Sequence, residues 1–146
     1  MKKDNTHIRI ALQGIKTEQF AIIEENYTPN KKTDLGTKLQ FKLDQKNHKI
    51  GVFLGFEFMQ IKKVFLKIQV SCHFQIEENS WATFVQENKL VIPKGFLAHL
   101  AVITIGTTRG VLFAKTEATP FSIFILPTLN IASIIKEDAI FEIKNM

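Results

Sequence analysis

Val64-Phe65-Leu66-Lys67-Ile68-Gln69-Val70-Ser71-Cys72-His73-Phe74-Gln75-Ile76 is the stretch that decides how this chain folds. Val64, Leu66, Ile68, Val70, Cys72, Phe74 and Ile76 are apolar at a spacing of two, the period at which side chains return to the same face of a strand. At ~3.3 Å per residue the run spans roughly 40 Å, far beyond the usual ~5–6 residues. Such a strand either bends at a bulge or projects beyond its own core toward a partner subunit.

Upstream, the same period recurs. Leu39, Phe41 and Leu43 alternate with Lys38, Lys42 and Asp44, and Ile50, Val52, Leu54, Phe56 and Phe58 form the next run. Polar turns at 45–49 and 60–63 separate the three, which makes an antiparallel meander. Residues 8–15 and 20–23 read as two short strands or one bent strand, with Ile8, Ile10 and Leu12 on one face. Residues 26–36 contain Pro29, Asn30, Asp34 and Gly36 and form a loop. Past Glu77-Glu78-Asn79, Trp81 to Val85 adds a short strand or continues the long one.

From Pro93 the pattern turns helical, since proline's missing N–H is no loss at a helix start. Residues 95–114 hold one fully charged side chain, Arg109, and their apolar positions fall on every side: Leu97, Leu100 and Val111; Ile103 and Phe113; Val102, Ile105 and Leu112. A helix apolar all round is buried all round, yet a chain of 146 residues has no core large enough to surround it. A membrane span needs ~20 apolar residues, and His99, Thr104, Thr107, Thr108 and Arg109 interrupt this one. One face therefore packs on the sheet and the other on a second subunit. Gly106 and Gly110 each cost a helix about 1 kcal/mol against alanine. Close backbone approach offsets that, either on the helix's own sheet or on another subunit. Phe121 to Pro127 is an apolar extended stretch, and 131–143 can form a short amphipathic last helix. No repeat or linker divides the chain, so one domain over 1–146 is expected.

Composition narrows the function. Hydrophobic residues make up 45% and charged residues 23%, a globular balance. The single cysteine, Cys72, excludes an internal disulfide framework and any CxxC motif. Met1 to His7 shows no apolar core or cleavage site, so no signal peptide and a cytoplasmic location are expected. The net charge is +5, and the excess lies mostly between Lys31 and Lys67. Only Arg9 and Arg109 are arginines, a poor set for bidentate reading of base edges. Sequence-specific nucleic-acid recognition is not expected; non-specific, salt-dependent phosphate binding through the lysines stays open.

Reactive groups are scattered. Cys72 and His73 are adjacent on a strand and point to opposite faces. His7, His48, His73 and His99 lack metal-ligand spacing. Glu24-Glu25, Glu77-Glu78 and Glu137-Asp138 are sequence neighbours rather than opposed carboxylates, and no glycine-rich phosphate loop is present. The expectation is a protein that is not an enzyme and holds no metal or cofactor. Phenylalanine, by contrast, is abundant, at 13 residues. Phe41, Phe56, Phe58 and Phe74 fall on core positions. Phe53 and Phe65 fall on the opposite face, and Phe121 and Phe124 lie in the surface segment. Clustered, such residues mark an interface or a groove that takes apolar chains with little sequence choice. Alternatively they cover a subunit contact or lie beneath the last helix.

Two motifs then resemble the SecB export-chaperone family. Thr108-Arg109-Gly110 through Phe121 and Leu126-Pro127-Thr128-Leu129-Asn130-Ile131 are similar to its signature region, with one extra residue between Pro127 and Asn130. Val64–Glu77, followed by Glu78-Asn79, Trp81 and Phe84, looks like its long third strand and the turn into the fourth. The resemblance implies an α+β fold: a four-stranded antiparallel sheet with a long helix, a crossover loop and a short C-terminal helix packed against it. It implies a homo-oligomer, a dimer of dimers with long helices packed between dimers, and an ATP-independent chaperone holding unfolded or precursor polypeptides without a cofactor. Mapped by position, the peptide-binding groove takes Phe53, Phe65, Phe121, Phe124 and Leu126. Helix packing takes Leu100, Thr104, Thr107 and Val111, beside Gly106 and Gly110.

Two departures qualify the export role. Family members that dock the translocation motor are usually acidic on the exposed sheet face, whereas Lys38, Lys42, Lys62, Lys63 and Lys67 make this one basic. The chain also stops at Met146 without the tail that contributes to motor binding. SecB-like chaperones dedicated to other clients, including antitoxins, fit that departure. The rival expectation is a structural or regulatory protein with one dedicated folded partner.

Overall fold

The structure, a computed structural model, describes residues 8–143. The segment Met1–His7, read above for a signal peptide, lies outside the described residues. Strands β1 (Ile10–Ile22), β2 (Asp34–Asp44), β3 (Lys49–Gln60) and β4 (Lys63–Ile76) form an antiparallel sheet in the order β1-β4-β3-β2. The apolar run is thus a central strand, paired with β1 from Ile10↔Ile76 to Ile22↔Leu66 and with β3 from Lys49↔Gln75 to Gln60↔Lys63. Its length does not project past the sheet, because both neighbours are equally long.

The first strand is continuous but bent, with register slips between Leu12 and Gly14 and between Thr17 and Gln19. Ile8 and Ile10 pack on the core as the alternation requires. Leu12, beside the first slip, is exposed rather than inward. The β2–β3 turn is closed by Asp44, whose carboxylate accepts from the Asn47 side chain at 2.8 Å and backbone N–H at 3.2 Å. Those hydrogen bonds, the side-chain one first, hold its carboxyl below the ordinary aspartate value.

After β4 the chain departs from expectation. Trp81 lies in a short helix, α1 (Glu78–Ala82), not a strand. Ser80 pins that turn by donating to Glu77 Oε1 and accepting from Arg9 N–H, while the Trp81 indole stacks on His48 at 4.9 Å. A hairpin follows, β5 (Val85–Gln86) and β6 (Lys89–Ile92). The last segment is a single turn, α3 (Ile131–Ile134), and then a strand, β7 (Ala139–Glu142), instead of a helix over 131–143. β7 pairs with β6, Leu90 opposite Phe141, to make a second, three-stranded sheet β5-β6-β7. A ladder partner and alternating burial at Ala139–Glu142 outweigh the weak helical spacing. The Asp138 carboxylate fixes the approach by accepting from Lys94 N–H at 2.8 Å.

The long helix α2 (Lys94–Thr116) begins where expected. Pro93 is extended, and its carbonyl accepts from Phe96 and Leu97 N–H. One side of α2 is buried on β3 and β4, through Leu97, Leu100, Ala101, Thr104, Ile105, Thr108 and Leu112. The buried threonines satisfy their hydroxyls within the helix: Thr104 donates to Leu100 O and Thr108 to Thr104 O, at 2.9 and 2.7 Å. By length and composition alone α2 could cross a membrane; its packed stripe is that of a core helix.

Candidate functional site

An aromatic cluster occupies one end of the sheet's covered face. Phe58 pairs with Leu66 but Met59 with Val64, so Phe65 is the extra residue of a β-bulge. Consecutive residues Phe65 and Leu66 are both wholly buried as a result. This corrects the expectation that Phe65 points to the open face, because a bulge shifts the alternation by one. The Phe65 ring centroid lies 4.9 Å from Tyr27, 5.0 Å from Phe124 and 6.0 Å from Phe121. Phe58 joins through Phe124 at 5.6 Å. Tilted and edge-on contacts at these distances are the favourable ring geometries.

The crossover that brings Phe121 and Phe124 here is held by α2. Arg109 donates from Nε to Leu126 O at 3.0 Å and from Nη2 to Pro127 O at 3.1 Å. Thr119 accepts from Phe121 N–H and starts the tight 3-10 turn Pro120–Ile123, where a fully extended stretch was expected. Phe121 and Leu126 are consequently buried within the protomer and not displayed. Beside them runs an open apolar groove of about 360 Å³, between α2 (Gly106, Gly110, Phe113) and the crossover (Phe124, Ile125). Phe113 is 47% exposed and Ile125 61%. A Cβ built on Gly106 or Gly110 would meet nothing within 4 Å. The glycines therefore do not bring α2 closer to its own sheet; they shape its outer face.

Phe53 stands apart. It lies on the uncovered face of the sheet, where its ring crosses Gly51 so closely that a Cβ there would sit 3.1 Å from the ring edge. Lys42 Nζ lies 4.4 Å over the ring, and His73 meets it edge-on at 5.6 Å. The five residues expected to share a groove are thus divided by the sheet: Phe65, Phe121, Phe124 and Leu126 on one side, Phe53 on the other. The expected helix interface divides as well. Leu100 and Thr104 are wholly buried on the sheet, so neither can face a second subunit. Thr107 is half-buried and donates to Ile103 O, and Val111 packs on the aromatic end of the core. Gly106 and Gly110 alone of that set lie on the outward face, in line with Val102 and Phe113.

One group of residues has the types used in nucleophilic catalysis. The Ser71 hydroxyl donates to Glu18 Oε2 at 2.7 Å and lies 2.9 Å from His73 Nε2. Ser71 is wholly buried, however, and its proton is directed at Glu18 rather than at a histidine base. The arrangement ties the bent β1 to β4 and offers no approach to a substrate. Among the described residues no group of three or more His, Cys, Asp or Glu could hold a metal ion, and Cys72 is buried.

Reading by spacing missed Tyr27, Phe113 and Ile125. Tyr27 sits in a loop where period arguments say nothing. Phe113 has a visible signal, but that reading groups it with Ile103 and apart from Val102; at about 100° per residue it shares a side with Val102, Gly106 and Gly110.

A four-stranded antiparallel sheet with a long helix packed on it is a SecB-like fold. The Mycobacterium tuberculosis SecB-like chaperone Rv1957, solved in complex with a ChAD peptide from the HigA1 antitoxin, superposes with a TM-score of 0.51 at 12% identity. The match covers 83% of this chain and 91% of that one. A Streptococcus agalactiae protein of unknown function is also similar, with a TM-score of 0.35, 16% identity, and coverage of 86% and 99%. No protein-family model and no curated protein sequence matches this chain.

Proposed function

We propose that this protein is an ATP-independent, SecB-like holding chaperone that binds unfolded polypeptide along the groove between α2 and the crossover. The observation that carries this reading is the groove itself: apolar walls open to solvent, one of them Phe124, held in place by its contact with buried Phe65. Phe113 and Ile125 stay exposed there, and Ile123 in the adjoining turn is 69% exposed. Burying such a side chain contributes about 2 kcal/mol. Only the part of Phe113, Ile123 and Ile125 still exposed adds to this, and association itself costs free energy, so the net affinity of one groove is small. That is weak and reversible, as holding and release require. The peptide bound by the SecB-like Rv1957 supports polypeptide as the class of occupant.

Self-association through the outward stripe of α2 would compete with client for the same residues, and the reading stops short of export. On the uncovered sheet face Lys16 and Lys38 form no ion pair among the described residues, and Lys42 sits on the Phe53 ring. That is the opposite sign to the acidic face expected of motor-docking members. The test is suppression of aggregation of a chemically denatured client, without nucleotide. Ile125→Asp is expected to lower suppression severalfold, whereas Val85→Asp, equally polar but on the second sheet, leaves it intact. Equal suppression by both variants and the wild type would refute the groove.

A further inference from the structure

Phe124, which lines the groove, belongs to an aromatic cluster covered by the chain's own Tyr27. Its ring rests on Phe65, Phe121 and Phe124, with centroids at 4.9, 5.2 and 5.7 Å. It is carried by a strap, residues 24–33, that joins β1 to β2 across the bulged end of the sheet. The strap is fastened by groups that read only backbone. Gln60, itself buried, accepts from Thr28 N–H at 2.8 Å and donates to Thr28 O at 3.0 Å. The carbonyl of Val64, next to the bulged Phe65, accepts from Asn26 Nδ2 at 2.8 Å.

These features describe an occupied site. A ring lies in an aromatic pocket, and the next residue's N–H and C=O are clamped by one side-chain amide. That is how an extended peptide is held, and nothing in the clamp depends on the identity of residue 28. We infer that Tyr27-Thr28 is a built-in occupant of this site, and that an extended client segment binds by displacing the strap, its aromatic side chain replacing the Tyr27 ring and its backbone replacing Thr28 on Gln60. The inference rests on the holding function proposed above and adds a self-blocking step to it.

The geometry makes such an exchange feasible. Tyr27 is only half-buried, Thr28 to Lys32 are exposed, and the ion pair found in the strap, Lys32–Asp34 at 3.8 Å, joins it to its own flank at β2 and not to the site. The buried Gln60 amide keeps its two hydrogen bonds whichever extended chain supplies them, so displacement costs only the bond from Asn26 to the Val64 carbonyl at the strap's start. A state blocked ten to one lowers apparent affinity about tenfold.

Two measurements test the idea, with a reduced, carboxymethylated polypeptide as a client that cannot refold. Tyr27→Ala is expected to bind it about tenfold more tightly than the wild type, and Tyr27→Phe, which keeps the ring, to bind it like the wild type. Because Tyr27 is the chain's single tyrosine, 3-fluorotyrosine gives one ¹⁹F resonance in the unmutated protein. On client binding that resonance should move to its solvent-exposed position, a readout that stands even where Tyr27→Ala fails to fold. Client bound with the resonance unmoved, or a folded Tyr27→Ala that binds no better, overturns displacement and leaves holding intact. Binding by neither the wild type nor Tyr27→Ala overturns both.

Discussion

Ile61 and Lys62 turn β3 into β4 with φ of 49° and 63°. Both lie in the left-handed region, which a two-residue hairpin of this twist requires and which Asn-Gly fills without strain. A β-branched residue there is an outlier, and Ile61 is also 75% exposed. Nothing in its packing offsets the conformation. Ile61→Asn combined with Lys62→Gly should therefore stabilise the protein by about 1–2 kcal/mol. In urea the midpoint should rise with an unchanged slope; an unchanged midpoint would show that the turn carries no strain. The same turn explains why Phe65 is inward. A two-residue loop at 61–62 sets Phe58 opposite Phe65, so even-numbered positions on one strand face odd ones on the other. The apolar positions are even-numbered on both strands, and only an extra residue reconciles them. That conflict was readable in the sequence, but a count along each strand taken singly does not reveal it.

At the scale of elements, period two gave the sheet's members and order of appearance because each strand has one covered face. The long helix announced itself by its proline start and lack of charge. What stayed hidden had no period of its own. β7 is four residues whose only reason to be extended is the free edge of β6. The strap and crossover are positioned by a few polar anchors, Gln60 and Asn26 for one and Arg109 for the other, whose partners are backbone atoms that no side-chain pattern identifies. Arg109 makes the strongest claim of these for the site, since its two hydrogen bonds tie the middle of α2 to the crossover at Leu126 and Pro127. Arg109→Met keeps the stem and loses both donors, and hydrogen bonds from a charged group contribute about 1.5–3 kcal/mol. A loss of about 2 kcal/mol is expected in chemical denaturation, with faster proteolysis between Phe124 and Pro127 and unchanged helix content by circular dichroism. Arg109→Lys should recover only part, because one ammonium cannot reproduce the forked geometry. Proteolysis at the wild-type rate in Arg109→Met would show that the crossover is held by its aromatic residues alone.

For the whole molecule, the outward face of α2 has two rival occupants, client and a second copy, because Gly106, Gly110 and Phe113 also line the groove. Two copies of the helix, antiparallel and centred level with Thr104, would set Val102 on the partner's Gly106, Phe113 on Gly95 and Gly110 on Ala98. Each large residue then meets a small one, and a twofold axis repeats every contact. Gly106→Leu separates this assembly from the alternative of a monomer with an idle glycine. In a monomer the added side chain meets open space and replaces a poor helix former, so melting should shift upward, by up to about 1 kcal/mol. In a paired helix it collides with Val102 of the other copy. We expect sedimentation and light scattering to show an oligomer for the wild type and smaller species for Gly106→Leu, with the helix itself no less stable. A monomeric wild type would remove the pairing outright. An oligomer unaffected by Gly106→Leu would move the contact elsewhere, and the exposed edge strand β1, with Leu12 and Ile15 open to solvent, is where it would be sought.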